Sequence, residues 1–143
     1  MAAETRCYVV GSETDPADAK HAISRGHPEL LVQTVRAETA SNESFVGMIC
    51  AETMSAERSQ VLLARKPEID LLLRLASTTQ ISVAIGKVGV GKGEPFLLIV
   101  AGEGKTVKAI RPPAGWKRLD RRPLSKGELE LIERAALLNA ARG

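Results

Sequence analysis

The sequence predicts an α/β protein, a single domain in which α-helices pack on a mixed β-sheet. Three observations predict it. Residues 96–101 (FLLIVA) are continuously apolar between Pro95 and Gly102, the pattern of a strand buried on both faces. Apolar residues recur at helical spacing in 67–75, 81–88 and 129–138. No repeat, low-complexity tract or linker divides the 143 residues, a length that supports one ordinary core without disulfides or metals. Aromatics make up only 3%, so that core must consist of Leu, Ile, Val and Ala.

Each element follows in order. Residues 6–10 (RCYVV) read as a strand ending at Gly11. Asp15-Pro16 starts a helix, because Asp can cap free amides and Pro at the first helical position loses no hydrogen bond. That helix turns Ala19, Ala22 and Ile23 inward and stops by Gly26. Residues 30–36 (LLVQTVR) and 45–50 (FVGMIC) read as strands, with the polar run 37–44 closing a hairpin between them. Ser55 then caps a helix to about Arg65 that turns Val61 and Leu62 inward, and Pro67 opens another. A third starts near Thr78 or Thr79, where Ile81, Ala84, Ile85 and Val88 form one apolar face and Gly89 suits a left-handed end. After the 96–101 strand, only 105–110 can make a helical turn in a segment broken by Pro112, Pro113, Gly115 and Pro123. Ser125 and Glu128 have capping-box spacing, and a helix follows to about Ala141. On it Leu129, Ile132 and Ala136 make a stripe that Leu131, Ala135 and Leu138 widen.

Composition excludes several classes. No stretch reaches the roughly 18 apolar residues of a membrane helix, and the N-terminus (MAAETR) lacks a signal pattern, so elimination leaves a cytoplasmic location. Cys7 and Cys50 both sit in apolar runs and read as small buried hydrophobes. His21 and His27 lack a Cys or carboxylate at ligand spacing and read as surface residues, so no metal site is expected. Nothing resembles a nucleophile elbow, and no catalytic residue is assigned. The paired carboxylates Glu68/Asp70 and Glu128/Glu130 are two apart, would diverge on a helix, and read as solvated.

The stretch Gly86-Lys87-Val88-Gly89-Val90-Gly91-Lys92 fits G-x-x-x-x-G-K, the start of a phosphate-cradling loop. The next residue is Gly93 where Ser or Thr would hold magnesium, and a helix precedes the glycines where a strand should. It therefore reads as a turn from helix to strand, with no cofactor or small-molecule substrate expected.

Charge is unevenly spread. Residues 1–57 hold four basic and nine acidic side chains, a net of −5. Residues 105–126 hold Lys105, Lys108, Arg111, Lys117, Arg118, Arg121, Arg122 and Lys126 against Asp120 alone, a net of +7 in 22 residues. Such a segment fits a polyanion partner, and equally a solvated loop. Trp116 within it could stack on an unpaired base or anchor the loop to the body; a lone aromatic favours the anchor. Arg65, Lys66, Arg74, Lys87 and Lys92 cluster near the helical turns and, with Lys117, Arg118, Arg121 and Arg122, are the charge-based candidates for nucleic-acid contact.

The stretch from Lys66 to Ala101 carries a resemblance. A leucine-rich helix (EIDLLLRLA), a turn containing Ser77, then Gln80, Ile81, Ala84 and Gly89, and a buried strand resemble the small PRPK-binding (TPRKB-like) subunit of the KEOPS complex in its archaeal form. The C-terminal apolar helix and the chain length fit the same family. The turn reads Ala76-Ser77-Thr78-Thr79 where the family has Gly or Pro, and residues 105–124 carry no family motif. The resemblance implies a non-catalytic subunit of the complex that makes N6-threonylcarbamoyladenosine in tRNA. It would dock on the kinase-like ATPase subunit and help hold tRNA, including its single-stranded 3′ end. Ser77, Gln80, Ile81, Ala84, Ile85 and Val88 would carry the kinase contact, although the same spacing also describes a core-facing stripe. The alternative is a stand-alone RNA-binding domain that uses the basic 105–126 segment.

Overall fold

The computed structural model describes residues 2–142. The elements run β1 (Ala3–Val10), α1 (Pro16–Ser24), β2 (Leu31–Arg36), a 3-10 turn (Ala37–Thr39), α2 (Glu43–Arg58), α3 (Pro67–Ala76), α4 (Ile81–Val88), β3 (Phe96–Glu103), α5 (Gly104–Ala109), β4 (Lys117–Arg118) and α6 (Lys126–Arg142). The strands form one sheet in the order β2-β3-β1-β4. The α/β class with helices packed on one sheet is the predicted one; all pairings within the sheet are antiparallel.

β3 explains the architecture. It lies between β2 and β1, and Phe96, Leu97, Leu98, Ile99, Val100 and Ala101 are each no more than 1% exposed. Its side chains alternate between two cores, as strand geometry requires. Leu97, Ile99 and Ala101 join Cys7, Leu31 and Val35 beneath α2, α3, α4 and α6. Phe96, Leu98 and Val100 join Tyr8, Val10 and Val32 beneath α1 and α5. An antiparallel sheet covered on both faces needs a central strand apolar throughout, which is the pattern of 96–101.

The main departure from the sequence reading is α2. Residues 45–50 are helical, and there is no hairpin across 37–44. Phe45, Val46 and Ile49 have strand propensity, but the longer pattern is helical: Phe45, Val46, Ile49, Cys50, Thr53 and Ala56 are buried at a 3.6-residue period. Asn42 caps the helix, its Oδ1 accepting from the Ser44 amide at 3.0 Å. Ser55 is therefore interior to a helix that ends at Arg58, and Val61, expected inside, is 48% exposed. Leu62 is only partly covered.

Other corrections are local. Ala22 on α1 is exposed while Ala19 and Ile23 are buried, and Asp15 occupies the N-cap position without a side-chain cap bond. Gly89 is extended (φ −66°, ψ 146°), not left-handed. It is glycine for a different reason: a Cβ there would lie 2.5 Å from the Ile85 carbonyl oxygen. On α6 the buried positions are Ile132 and Ala135 with Leu138 packed beside them, whereas Leu129, Leu131 and Ala136 face outward. The capping box is present: the Ser125 amide donates to Glu128 Oε1 (2.9 Å) and the Glu128 amide to Ser125 Oγ (3.1 Å). Among the described residues no single helix is long and apolar enough to cross a membrane.

Candidate functional site

The corner between α3 and α4 is built by backbone bonds. Ser77 adopts the left-handed conformation (φ 56°) and ends α3. Its amide donates to the Arg74 carbonyl, and the Thr78 amide reaches back to Leu73 at 3.1 Å, the pairing of a Schellman cap. Thr78 Oγ1 then accepts from the Gln80 amide at 3.1 Å and directs the chain into α4. The other end of α4 is tied to β2, where Arg36 Nε donates to the Gly89 carbonyl at 2.8 Å.

This corner divides the predicted kinase-contact residues. Ala84 (1% exposed) and Val88 (5%) are core, packed with the α2–α3 cluster, so they can support a contact but not make one. Ser77 is half-buried, and its Oγ is buried without a hydrogen-bond partner. Gln80 is exposed. Ile81 and Ile85 are 48% and 53% exposed, and Val83, which sequence spacing does not select, is 40% exposed. Ile81 and Ile85, four apart, share one solvent-facing side of this eight-residue helix, while Val83, two residues from each, points to the other side. The single stripe read from the sequence is two faces.

The predicted nucleic-acid contacts are divided as well. Arg74 is 2% exposed. It pairs with Asp70, itself fully buried (Nε to Oδ1, 2.7 Å), and donates to the Ala135 carbonyl (2.9 Å) and Asn139 (2.8 Å) of α6. Asp70 also accepts from Thr53 of α2 (2.6 Å) and from the Leu63 amide (2.9 Å). Both Asp70, expected to be solvated, and Arg74, expected at a surface, are instead the polar joint between α2, α3 and α6. Arg65, Lys66, Lys87 and Lys92 are exposed but do not cluster. Lys66 precedes the first residue of α3, while Lys87 reaches the Ala76 carbonyl at its far end (3.4 Å), about 15 Å away at helical rise.

The basic segment is anchored by Glu43. Its carboxylate, wholly buried, occupies the edge of β1 beyond the two-residue β4. There the Leu119 amide donates to the Cys7 carbonyl (2.7 Å), and Glu43 Oε2 accepts from the Cys7 amide (2.8 Å). Arg118 binds both carboxylate oxygens, with its Nη2 2.8 Å from Oε1, and Arg121 Nε lies 2.5 Å from the same oxygen. Burial pushes this carboxyl up, but the hydrogen bonds from Arg118, Arg121 and the Cys7 amide outweigh it and hold it below the usual carboxylate range. Asn42 reinforces the joint, accepting from the Arg122 amide (3.0 Å) and donating to the Arg122 carbonyl and Glu128. Arg122 itself binds Ser41. Arg118, Arg121 and Arg122 thus hold the loop to the N-terminus of α2, a use that sequence could not show because Glu43 lies 75 residues upstream of Arg118. Lys117 is exposed beside them.

Trp116 packs on Tyr8 with ring centroids 6.0 Å apart, the anchoring role. Cys7 and Cys50 are buried free thiols, and burial pushes Cys50 up to about 12, so both behave as small core side chains. The Gly86–Lys92 stretch leads from the last turn of α4 into β3, so no helix begins in it or directly after it; the Gly91 amide is turned to Glu94 (3.3 Å). Among the described residues no group of three or more His, Cys, Asp or Glu side chains is placed to hold a metal. No family model matches the chain, and no curated protein matches it.

Proposed function

We propose that this protein is a non-catalytic, cytoplasmic subunit of a KEOPS-type complex for tRNA N6-threonylcarbamoyladenosine modification, which binds the kinase-like ATPase subunit and helps recruit tRNA, including its 3′ end. The observation that supports it is the exposure of Ile81 and Ile85 beside Gln80 at the head of α4, within the stretch that resembles the family. A solvent-facing aliphatic group on a short helix lowers solubility unless a partner covers it, and an apolar centre free of charge suits a stable protein interface. Ala84 and Val88 seat the helix on the core and set the angle at which Ile81 and Ile85 are presented.

Size-exclusion co-elution with the KEOPS-type kinase of the same organism tests the proposal. A one-to-one complex is expected, lost in Ile81→Glu and Ile85→Glu. Because both side chains are half-exposed, these variants should keep the wild-type melting temperature. Separate elution of the two wild-type proteins would overturn the kinase role.

A further inference from the structure

The fold sorts the eight cations between residues 105 and 126 into two groups. Arg118 and Arg121 are committed to Glu43, and Arg122 to Ser41. Lys126 opens α6. Lys105, Lys108, Arg111 and Lys117 remain: all four are exposed, and none makes a side-chain hydrogen bond or ion pair among the described residues. The stretch 104–117 that carries them contains no Asp or Glu.

This stretch is rigidly seated. The Gly104 amide donates to the Ala2 carbonyl at 3.1 Å, so α5 starts against the chain just before β1. Val107 and Ile110 are buried in the core beneath α1 and α5, and Trp116 packs on the same core. Pro112 and Pro113 restrict the crossing between them, and Gly115 takes a left-handed turn (φ 93°) into β4. Lys105 and Lys108 are three apart on α5 and share its outer face. Lys105, Lys108 and Arg111 are therefore held on and just after α5 without an ion pair among the described residues, an arrangement that repels itself and is relieved by a polyanion, which releases its counterions on binding; Lys117 stands opposite Val9, on the other face of the sheet.

We infer that the face formed by Lys105, Lys108 and Arg111 binds the ribose-phosphate backbone of an RNA duplex. The choice of RNA rests on the proposed tRNA role; the surface and the mode of contact go beyond it. Stacking on unpaired bases is strongest on a free ring, and the chain has four aromatic residues. Tyr8, Phe45 and Phe96 are no more than 5% exposed, and the Trp116 ring is engaged with Tyr8. Without a stacking platform the recognition is of phosphate alone, and the denser phosphate array of a duplex is the better match. The face therefore grips a stem, and the 3′ end lies elsewhere.

Fluorescence anisotropy on the full chain tests this, with a blunt RNA duplex of about 16 base pairs, a single strand of one of its sequences, and whole tRNA as probes. The duplex and tRNA should bind more tightly than the single strand. The triple variant K105Q/K108Q/R111Q should lose at least tenfold in affinity for both. Its slope of log affinity against log salt should flatten by about 3, at roughly 0.9 for each phosphate no longer neutralised. The control R25Q/R58Q/R134Q, at exposed arginines elsewhere on the chain, should change neither. If tRNA binds and the triple variant binds it equally well, or if the single strand binds best, the inference falls and the tRNA role stands. If the wild-type protein binds none of the three probes, the tRNA role falls and the inference with it.

Discussion

Replacing Glu43 by Gln removes the charge on which the basic segment is anchored while keeping the side chain's shape. The carboxylate accepts from the Cys7 amide at 2.8 Å, from Arg118 at 2.8–3.2 Å and from Arg121 at 2.5 Å. A charge-assisted hydrogen bond contributes about 1.5–3 kcal/mol, and breaking a fully buried pair costs about 3–5 kcal/mol. Arg118 and Arg121 are 41% and 50% exposed, so their guanidinium groups can turn to water, which lowers the penalty. Glu43 has no such exit. The expected loss is about 2–3 kcal/mol. At about 2.1 cal/mol/K per residue the unfolding entropy of 143 residues is about 0.3 kcal/mol/K, so Tm should fall by about 7–10 °C at pH 7. The effect depends on pH in a defined direction. The folded carboxyl is held below its usual range, so its contribution is present above about pH 4.3 and is lost as pH falls through the folded value. Thermal unfolding followed by circular dichroism from pH 3 to pH 8 should show the two proteins converging at the acid end. A Tm difference under about 2 °C at pH 7, or one that does not shrink in acid, would refute the argument.

Three further perturbations follow from the same geometry. Arg74→Met leaves Asp70 charged and buried without its partner, and should lower Tm by about 10 °C or more in the same assay; a surface-like change would mean the joint between α2, α3 and α6 is not structural. Burial pushes the Glu52 carboxyl up to about 7 against the pull of Arg74, with Oε1 buried and lacking a partner. Stability should therefore fall as pH rises from about 5 through 7, by an amount on the order of 1 kcal/mol after allowing for solvent screening, and Glu52→Gln should abolish that slope in urea titrations at pH 5 and pH 8. Gly89→Ala places a methyl 2.5 Å from the Ile85 carbonyl oxygen and should cost about 1–3 kcal/mol, measured by urea unfolding; an unchanged midpoint would show that the turn relaxes freely.

Much of the fold is readable without coordinates because its signals are local. The 96–101 run, the Asp15-Pro16 and Lys66-Pro67 starts, and the reciprocal bonds of Ser125 and Glu128 all lie within a few residues of the feature they specify. α2 reads as a strand for a reason of window length. Over 45–50 the side chains suit a strand, and only the repeat out to Ala56 together with the Asn42 cap makes the helix evident.

The candidate surfaces depended on packing. On α4 the spacing of Ile81, Ala84, Ile85 and Val88 is that of one helical stripe, but a short helix has no single inward direction until its neighbours are placed. The packing buries Ala84 and Val88 and leaves Ile81 and Ile85 in water. Among the cations, composition shows only that residues 105–126 carry a net of +7. Which of them bind inward depends on Glu43, brought from far upstream to the edge of β1, and which remain free depends on Val107, Ile110 and Trp116 being held in the core. Most element types and the apolar central strand were thus legible in the chain's local pattern, because propensity, capping and periodicity act over one or two turns of chain. Which charges are structural, and which aliphatic side chains face solvent, came only with the assembled fold, because burial and ion pairing depend on residues distant in sequence.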